Sequence, residues 1–173
     1  MVPMRWGLIP GWWKKSVKEL PATFNARAES VAEKPMFRNA FKRQRCIIPA
    51  SGFYEWTGSK TARQPHLFSA ADGSPVLGLA GLWDRWHDPA GGDAVLSCTI
   101  IVTSASAWME PYHDRMPTLI LEPDTDAWLN GTLGSDSLGP ARETALREWP
   151  VSPRLNRTGV GDDDPAMIEP IPL

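Results

Sequence analysis

Seventeen prolines and nine tryptophans in 173 residues argue against a helical bundle. A proline interrupts the chain roughly every ten residues, and each one removes a backbone donor and clashes with a preceding helical turn. Regular elements therefore have to be short, and sheet is the economical way to bury this many large aromatics. Segments 46–49, 52–57, 65–70, 76–83 and 95–103 read as strands, rich in β-branched or aromatic residues and bounded by Gly, Pro or Asp. Val95–Thr103 alternates most clearly. Leu96, Cys98, Ile100 and Val102 are expected on the core face, with Ser97, Thr99 and Thr103 opposite. The stretch 76–83 is apolar on both faces, which suits a central strand, and its Gly78 and Gly81 suit a bend or bulge. Loops at 57–64 and 87–93 fit hairpin connections.

Three helices are expected. Pro35 suits a first helical position, after which Met36, Phe37, Ala40 and Phe41 form one apolar stripe, with Arg38, Lys42, Arg43 and Arg45 largely off it. Asp124 is placed to cap a short helix through Trp128 and Leu129, closed by Gly131. Pro140 opens a third, running to about Glu148. Residues 156–165 read as a surface loop, and Trp6, Trp83 and Trp128 as core. These elements define an α+β chain with a predominantly antiparallel sheet, in one domain over 1–173 without internal repeats.

The net charge of −2 conceals an asymmetry. Residues 1–63 carry 12 Lys and Arg against 4 acids, whereas residues 64–173 carry 6 against 16. A basic half of this kind fits a nucleic-acid surface, because phosphate contacts supply most sequence-independent affinity; a solvated helix face is the plainer account. Trp12-Trp13 followed by Lys14-Lys15 adds stacking faces to cations, the pairing used by binders of single strands, although burial of at least one of these rings is expected. Two cysteines cannot make a disulfide framework. Without a CxxC pair or a Cys/His cluster, neither a metal nor a cofactor is expected. No N-terminal apolar run reads as a signal peptide and none approaches a membrane span, so a cytoplasmic, unsecreted monomer associated with the nucleoid, without membrane contact, is the default expectation.

Three segments set chemically capable side chains among apparent core: FNARAES at Phe24–Ser30, GFYEW at Gly52–Trp56, and YHDRMP at Tyr112–Pro117. Glu55 between two aromatics is expected to be either paired or raised in pKa by desolvation, and both states serve proton transfer. His113 in a turn titrates nearest neutrality. Asn25 offers two donors and an acceptor without changing charge. Arg27, on the same face if the segment is extended, suits a bidentate grip on phosphate or an ion pair with Glu29 or Glu55.

Together with RWGLIPGWWKK (Arg5–Lys15), KPMFRNAFKRQRCIIPASGFYEW (Lys34–Trp56), LAGLWDRW (Leu79–Trp86), TIIVTSASAWMEPYHDRMP (Thr99–Pro117) and DDPAMIEPI (Asp163–Ile171), these motifs resemble the SOS response-associated peptidase family, the SRAP domains, nearly end to end. The resemblance implies a curled, barrel-like sheet flanked by short helices, and action at abasic sites in single-stranded DNA. In that family a cysteine following the initiator Met captures the abasic aldehyde as a thiazolidine through its own amine and thiol. Here Val2 follows Met1, so the reading is of a chain lacking that cysteine and the first strands of the domain. Cys46 and Cys98, in apolar strand contexts, are expected to be small buried thiols.

By resemblance, Asn25 orients the opened sugar, Glu55 is the acid/base, and His113 is a second proton carrier. Arg27, Thr103 and Arg115 are candidate phosphate contacts, and Trp12, Trp13 and Lys14 complete the candidate DNA surface. Asn25, Glu55 and His113 are expected to converge on one cleft. The alternatives are a single-stranded DNA-binding module without chemistry and a peptidase-like hydrolase using Glu55 and His113, the latter unsupported by a Ser/His/Asp order or an HExxH motif.

Overall fold

A computed structural model describes residues 1–161 and 163–172. Its strands are β1 (Arg5–Trp6), β2 (Asn25–Arg27), β3 (Arg45–Ala50), β4 (Phe53–Ser59), β5 (Ala62–Ala70), β6 (Leu77–Trp86), β7 (Val95–Ser104), β8 (Arg115–Pro117) and β9 (Leu146–Pro150). The α-helices, α1 (Arg38–Arg43) and α2 (Thr125–Leu129), are short, and the remaining helical turns are 3-10. Contacts divide the chain into two compact units. The first holds Met1–Ile48, Gly78–Ser104 and Pro117–Pro140; the second holds Pro49–Leu77, Ala105–Met116 and Ala141–Leu173.

The first unit is built on β7. β6 pairs with it antiparallel, Gly81 opposite Ile100 and Trp86 opposite Val95. β1 and β2 lie against it parallel, Trp6 opposite Cys98 and Asn25 opposite Ile100. Its core gathers Leu8, Ala26, Val31, Phe37, Ala40, Phe41, Leu82, Ile101 and Trp128. The stripe read from the sequence is thus the buried side of α1, although the α-helix begins only at Arg38 because turns occupy residues 31–37. Asp124 precedes α2 as expected but makes no side-chain cap.

The alternation of β7 departs from the expected one. Ser97, Thr99, Ile101 and Thr103 are buried, whereas of the expected core face only Cys98 is buried and Leu96, Ile100 and Val102 are half-buried. Hydrogen bonding makes this tolerable: the Ser97 hydroxyl accepts from the Ile9 amide at 2.8 Å, and Thr103 donates to the Leu138 carbonyl. Trp6 departs from the expectation too. It is 54% exposed, edge-on to Phe24, and its Nε1 donates to the Phe24 carbonyl. Trp83 is half-buried and Trp128 fully buried.

Arg45 is not a surface cation. Its guanidinium lies 4.2 Å from the Phe41 ring centroid and 4.5 Å from that of Trp128. Nε donates to the Phe41 carbonyl at 2.8 Å and Nη1 to that of Leu133 at 2.5 Å. It therefore satisfies a carbonyl in the last turn of α1 while tying that turn to the segment after α2.

The second unit is a three-stranded antiparallel sheet, β4-β5-β9. β4 and β5 form a hairpin whose register closes at Ser59 opposite Ala62. Gly58 has φ +89°, and a Cβ there would overlap the Ala62 carbonyl, so this approach requires glycine. The helix expected from Pro140 to Glu148 is absent. A 3-10 turn at Glu143–Ala145 leads into β9, where Leu146 pairs with Ala70 and Trp149 with Leu67. Non-local pairing with β5 outweighs the local helical pattern at this position.

Candidate functional site

In the second unit, the register sets Glu55 directly opposite His66, and Phe53 opposite Phe68. Paired residues share a face, so Phe53, Glu55 and Thr57 stand over one side of the sheet with Phe68 and His66. The rings of Phe53 and Phe68 stack at 5.0 Å, 9° from parallel. Segment 105–116 crosses this face, bringing Trp108 and Tyr112 edge-on to Phe68 at 5.6 and 5.0 Å. His113 is the next residue. The two aromatics that flank Glu55 in GFYEW, Tyr54 and Trp56, alternate to the opposite face, and the rings that share its face are Phe53 and Phe68. Desolvation pushes the Glu55 carboxyl above the ordinary range, His113 and Arg63 pull it back, and Asp114 adds to the rise.

Local hydrogen bonds aim His113. Its amide and that of Tyr112 both donate to the Met109 carbonyl, and Ala105 N donates to the Asp114 carbonyl. The Arg115 amide donates to His113 Nδ1 at 2.9 Å, while Asp114 Oδ1 lies 3.1 Å from the same nitrogen. With Nδ1 accepting from a backbone amide, the neutral ring carries its proton on Nε2. The electrostatic influence of His113 on the Glu55 carboxyl brings these two polar groups into one neighbourhood of the second unit.

A second cluster on this face was missed in the sequence. His66, buried, donates from Nδ1 to Glu148 Oε1, and its Nε2 shares a hydrogen bond with the Thr57 hydroxyl at 2.8 Å. Tyr112 lies edge-on to His66 at 5.0 Å, with Glu148 close enough to act on its hydroxyl. Burial and this carboxylate push the phenol up. The signals were present in outline: a histidine in register with Glu55, and a tyrosine immediately before His113.

The other candidates lie on the first unit, except Arg115. Asn25 and Arg27 are exposed on β2 with Ala26 buried between them, so they share one outward face as expected. Among the described residues Arg27 has no ion-pair partner; the Glu29 carboxylate accepts from the Ser104 hydroxyl. Thr103 is buried, with its hydroxyl spent on Leu138. Trp12 is 43% exposed, and its neighbour Trp13 is half-buried, donating from Nε1 to the Ser16 carbonyl. Lys14 is exposed. Nine of the ten Lys and Arg in residues 1–48 are exposed, the exception being Arg45. Cys98 is buried and Cys46 half-buried; burial raises both thiols, Cys46 to about 12 with Cys98 adding to the rise. Neither has the thiolate character of a nucleophile at neutral pH. No helix among the described residues is long and apolar enough to cross a membrane.

A mostly β fold with short helices, carrying the Asn-Ala-Arg, Gly-Phe-Tyr-Glu-Trp and Tyr-His-Asp-Arg-Met-Pro segments at these positions, defines a known class. Residues 1–158 match the family described as SRAP, SOS response associated peptidase, and the chain belongs to it. It is 40% identical over 127 residues to the abasic site processing protein YoqW of Bacillus subtilis (strain 168), covering 73% of this chain and 56% of that one. It is 34% identical over 139 residues to the abasic site processing protein HMCES of Xenopus tropicalis, covering 69% and 42%. The chain spans about half the length of the curated relatives it matches. A crystal structure of a protein from Bacteroides thetaiotaomicron superposes with a TM-score of 0.87 at 26% identity, over 98% of this chain and 76% of that one. The α+β class, with a mostly β chain and short helices, agrees with the fold of that structure.

Proposed function

We propose that this chain acts at abasic sites in single-stranded DNA, with Glu55 and His113 moving protons around the opened deoxyribose. The observation that carries the reading is the desolvated Glu55 carboxyl beside His113. An abasic sugar rests as a closed hemiacetal. Opening it needs a proton on the ring oxygen and removal of one from the C1 hydroxyl. A carboxyl held above its usual range gives the first and, as carboxylate, takes the second. His113 Nε2–H donates to the oxygen that gains charge. Within the first unit, Asn25 and Arg27 offer sugar- and phosphate-binding groups on one exposed face, and Trp12 with Lys14 and the exposed cations of residues 1–48 carries the strand; within the second, Arg115 is a candidate phosphate contact. The names of the relatives, abasic site processing proteins, support the same substrate.

The test compares a single-stranded oligonucleotide carrying one abasic site with the same strand intact. The wild type is expected to prefer the abasic strand, and E55Q and H113Q to lose the preference. All three should retain salt-dependent binding, with a slope of roughly −0.7 per phosphate neutralised that R38M and K42M reduce. Equal affinity of the wild type for both strands would favour the module without chemistry, for which the exposed cations alone suffice. Affinity indifferent to salt would remove the DNA reading altogether.

A further inference from the structure

We propose that His66, held by Glu148, is a positioning residue for the Glu55–His113 pair, acting through Tyr112. This inference rests on the proposed roles of Glu55 and His113 but needs no particular substrate. His66 is the cross-strand partner of Glu55 and lies on the same face, yet it cannot serve as a proton carrier. It is buried, and both ring nitrogens are engaged, one by the Glu148 carboxylate and one by the Thr57 hydroxyl. A buried imidazole bonded at both ends has one rotamer and one orientation. Its edge contact with Tyr112 and the Glu148 carboxylate, close enough to act on the Tyr112 hydroxyl, hold that tyrosine from two sides. Tyr112 is covalently next to His113, whose own ring is half exposed. The network therefore supplies the tertiary anchor that the exposed histidine lacks.

The charged and titratable groups around Glu55 come from each neighbouring element: Arg63 and His66 on β5, Glu148 on β9, and His113 and Asp114 on the crossing segment. Of these, His113 is the largest influence opposing desolvation. If the His66–Glu148–Tyr112 network holds His113 in place, loosening it should raise the Glu55 midpoint, as removing His113 itself does. The change expected is upward and smaller than the one caused by removing His113 itself, since loosening the ring only weakens its influence on the carboxyl.

The experiment follows Glu55 titration by carboxyl 13C NMR in wild type, H113Q, H66Q, E148Q and the H66Q/H113Q double variant, with near-UV circular dichroism as a check on folding. The expected result is an upward shift in H66Q and E148Q that vanishes in the H113Q background. A folded H66Q or E148Q with the wild-type midpoint overturns the proposal, and so does a shift that persists in the double variant, because His66 would then act on Glu55 without His113. If H66Q does not fold, E148Q carries the test, since it keeps the side-chain shape and one carbonyl oxygen to accept from the ring. Strand preference is measured separately. An unpreferred abasic strand with the expected titrations removes the abasic-site reading and leaves the positioning role; a preserved preference with an unmoved midpoint does the opposite.

Discussion

Replacing Arg45 by Met tests whether a cation that looks like DNA-binding surface is instead part of the fold. The change keeps most of the aliphatic stem and deletes the guanidinium. Two ring contacts at 4.2 and 4.5 Å are lost, each about 0.5–1 kcal/mol when partly solvated. Two charge-assisted bonds, to the Phe41 and Leu133 carbonyls, are lost as well, at roughly 1.5–3 kcal/mol each before the guanidinium's desolvation is set against them. Burial does oppose the charge, lowering the Arg45 pKa. The net destabilisation expected is about 2–4 kcal/mol. For a chain of this length, about 2–4 °C per kcal/mol makes the loss in Tm roughly 5–15 °C by differential scanning calorimetry. Arg45→Lys should recover less than half, because an ammonium cannot span two carbonyls while lying flat between two rings. The reasoning fails if Arg45→Met melts within about 2 °C of wild type and loses single-strand affinity in step with R38M.

Gly52→Ala should destabilise the second unit by about 1–3 kcal/mol, read as a lower urea midpoint, because a Cβ at Gly52 would overlap the Phe68 carbonyl and come within 2.9 Å of Leu67 Cδ1; an unchanged midpoint would refute the close approach. Glu55 gives a pH dependence with a fixed sign. Its folded pKa lies above the ordinary 4.5, so its contribution to stability is fully present below that value and is lost as pH rises through the folded one. E55Q, which stays neutral, should therefore gain on wild type in denaturant stability as pH rises from the ordinary carboxyl value through the raised folded one, and a difference that stays constant or shrinks contradicts the shift.

The strands were largely legible because each pairs regular patterning with clear punctuation; β4, β5 and β6 run a few residues beyond the segments read from the sequence. Errors arose where distant partners decide the outcome. Leu146–Pro150 has a helix-compatible pattern, but β5 offers it a ladder, which no local window contains. β7 buries its hydroxyl-bearing side because Ile9 and Leu138 supply hydrogen bonds from far along the chain. Trp6, read from the sequence as core, is instead exposed, its indole N–H used on the Phe24 carbonyl. At the candidate site Glu55 and His113 stand out in the sequence because chemistry-bearing residues sit among aromatic or turn-forming neighbours. His66 and Glu148 do not, since they are 82 residues apart and become meaningful only through the β4-β5-β9 register.

The two partners of His113 Nδ1 are mutually exclusive in a way that links charge to backbone exchange. The neutral ring accepts from the Arg115 amide; a ring protonated at Nδ1 has nothing to accept with and turns instead to Asp114 Oδ1, 3.1 Å away. Each protonation therefore releases one main-chain hydrogen and recruits one carboxylate. The Arg115 amide becomes a built-in reporter: its solvent hydrogen exchange, corrected for intrinsic pH dependence, should speed up as His113 takes on its proton. The acid state of an imidazole could thus be read at a neighbouring peptide bond, without a probe on the ring.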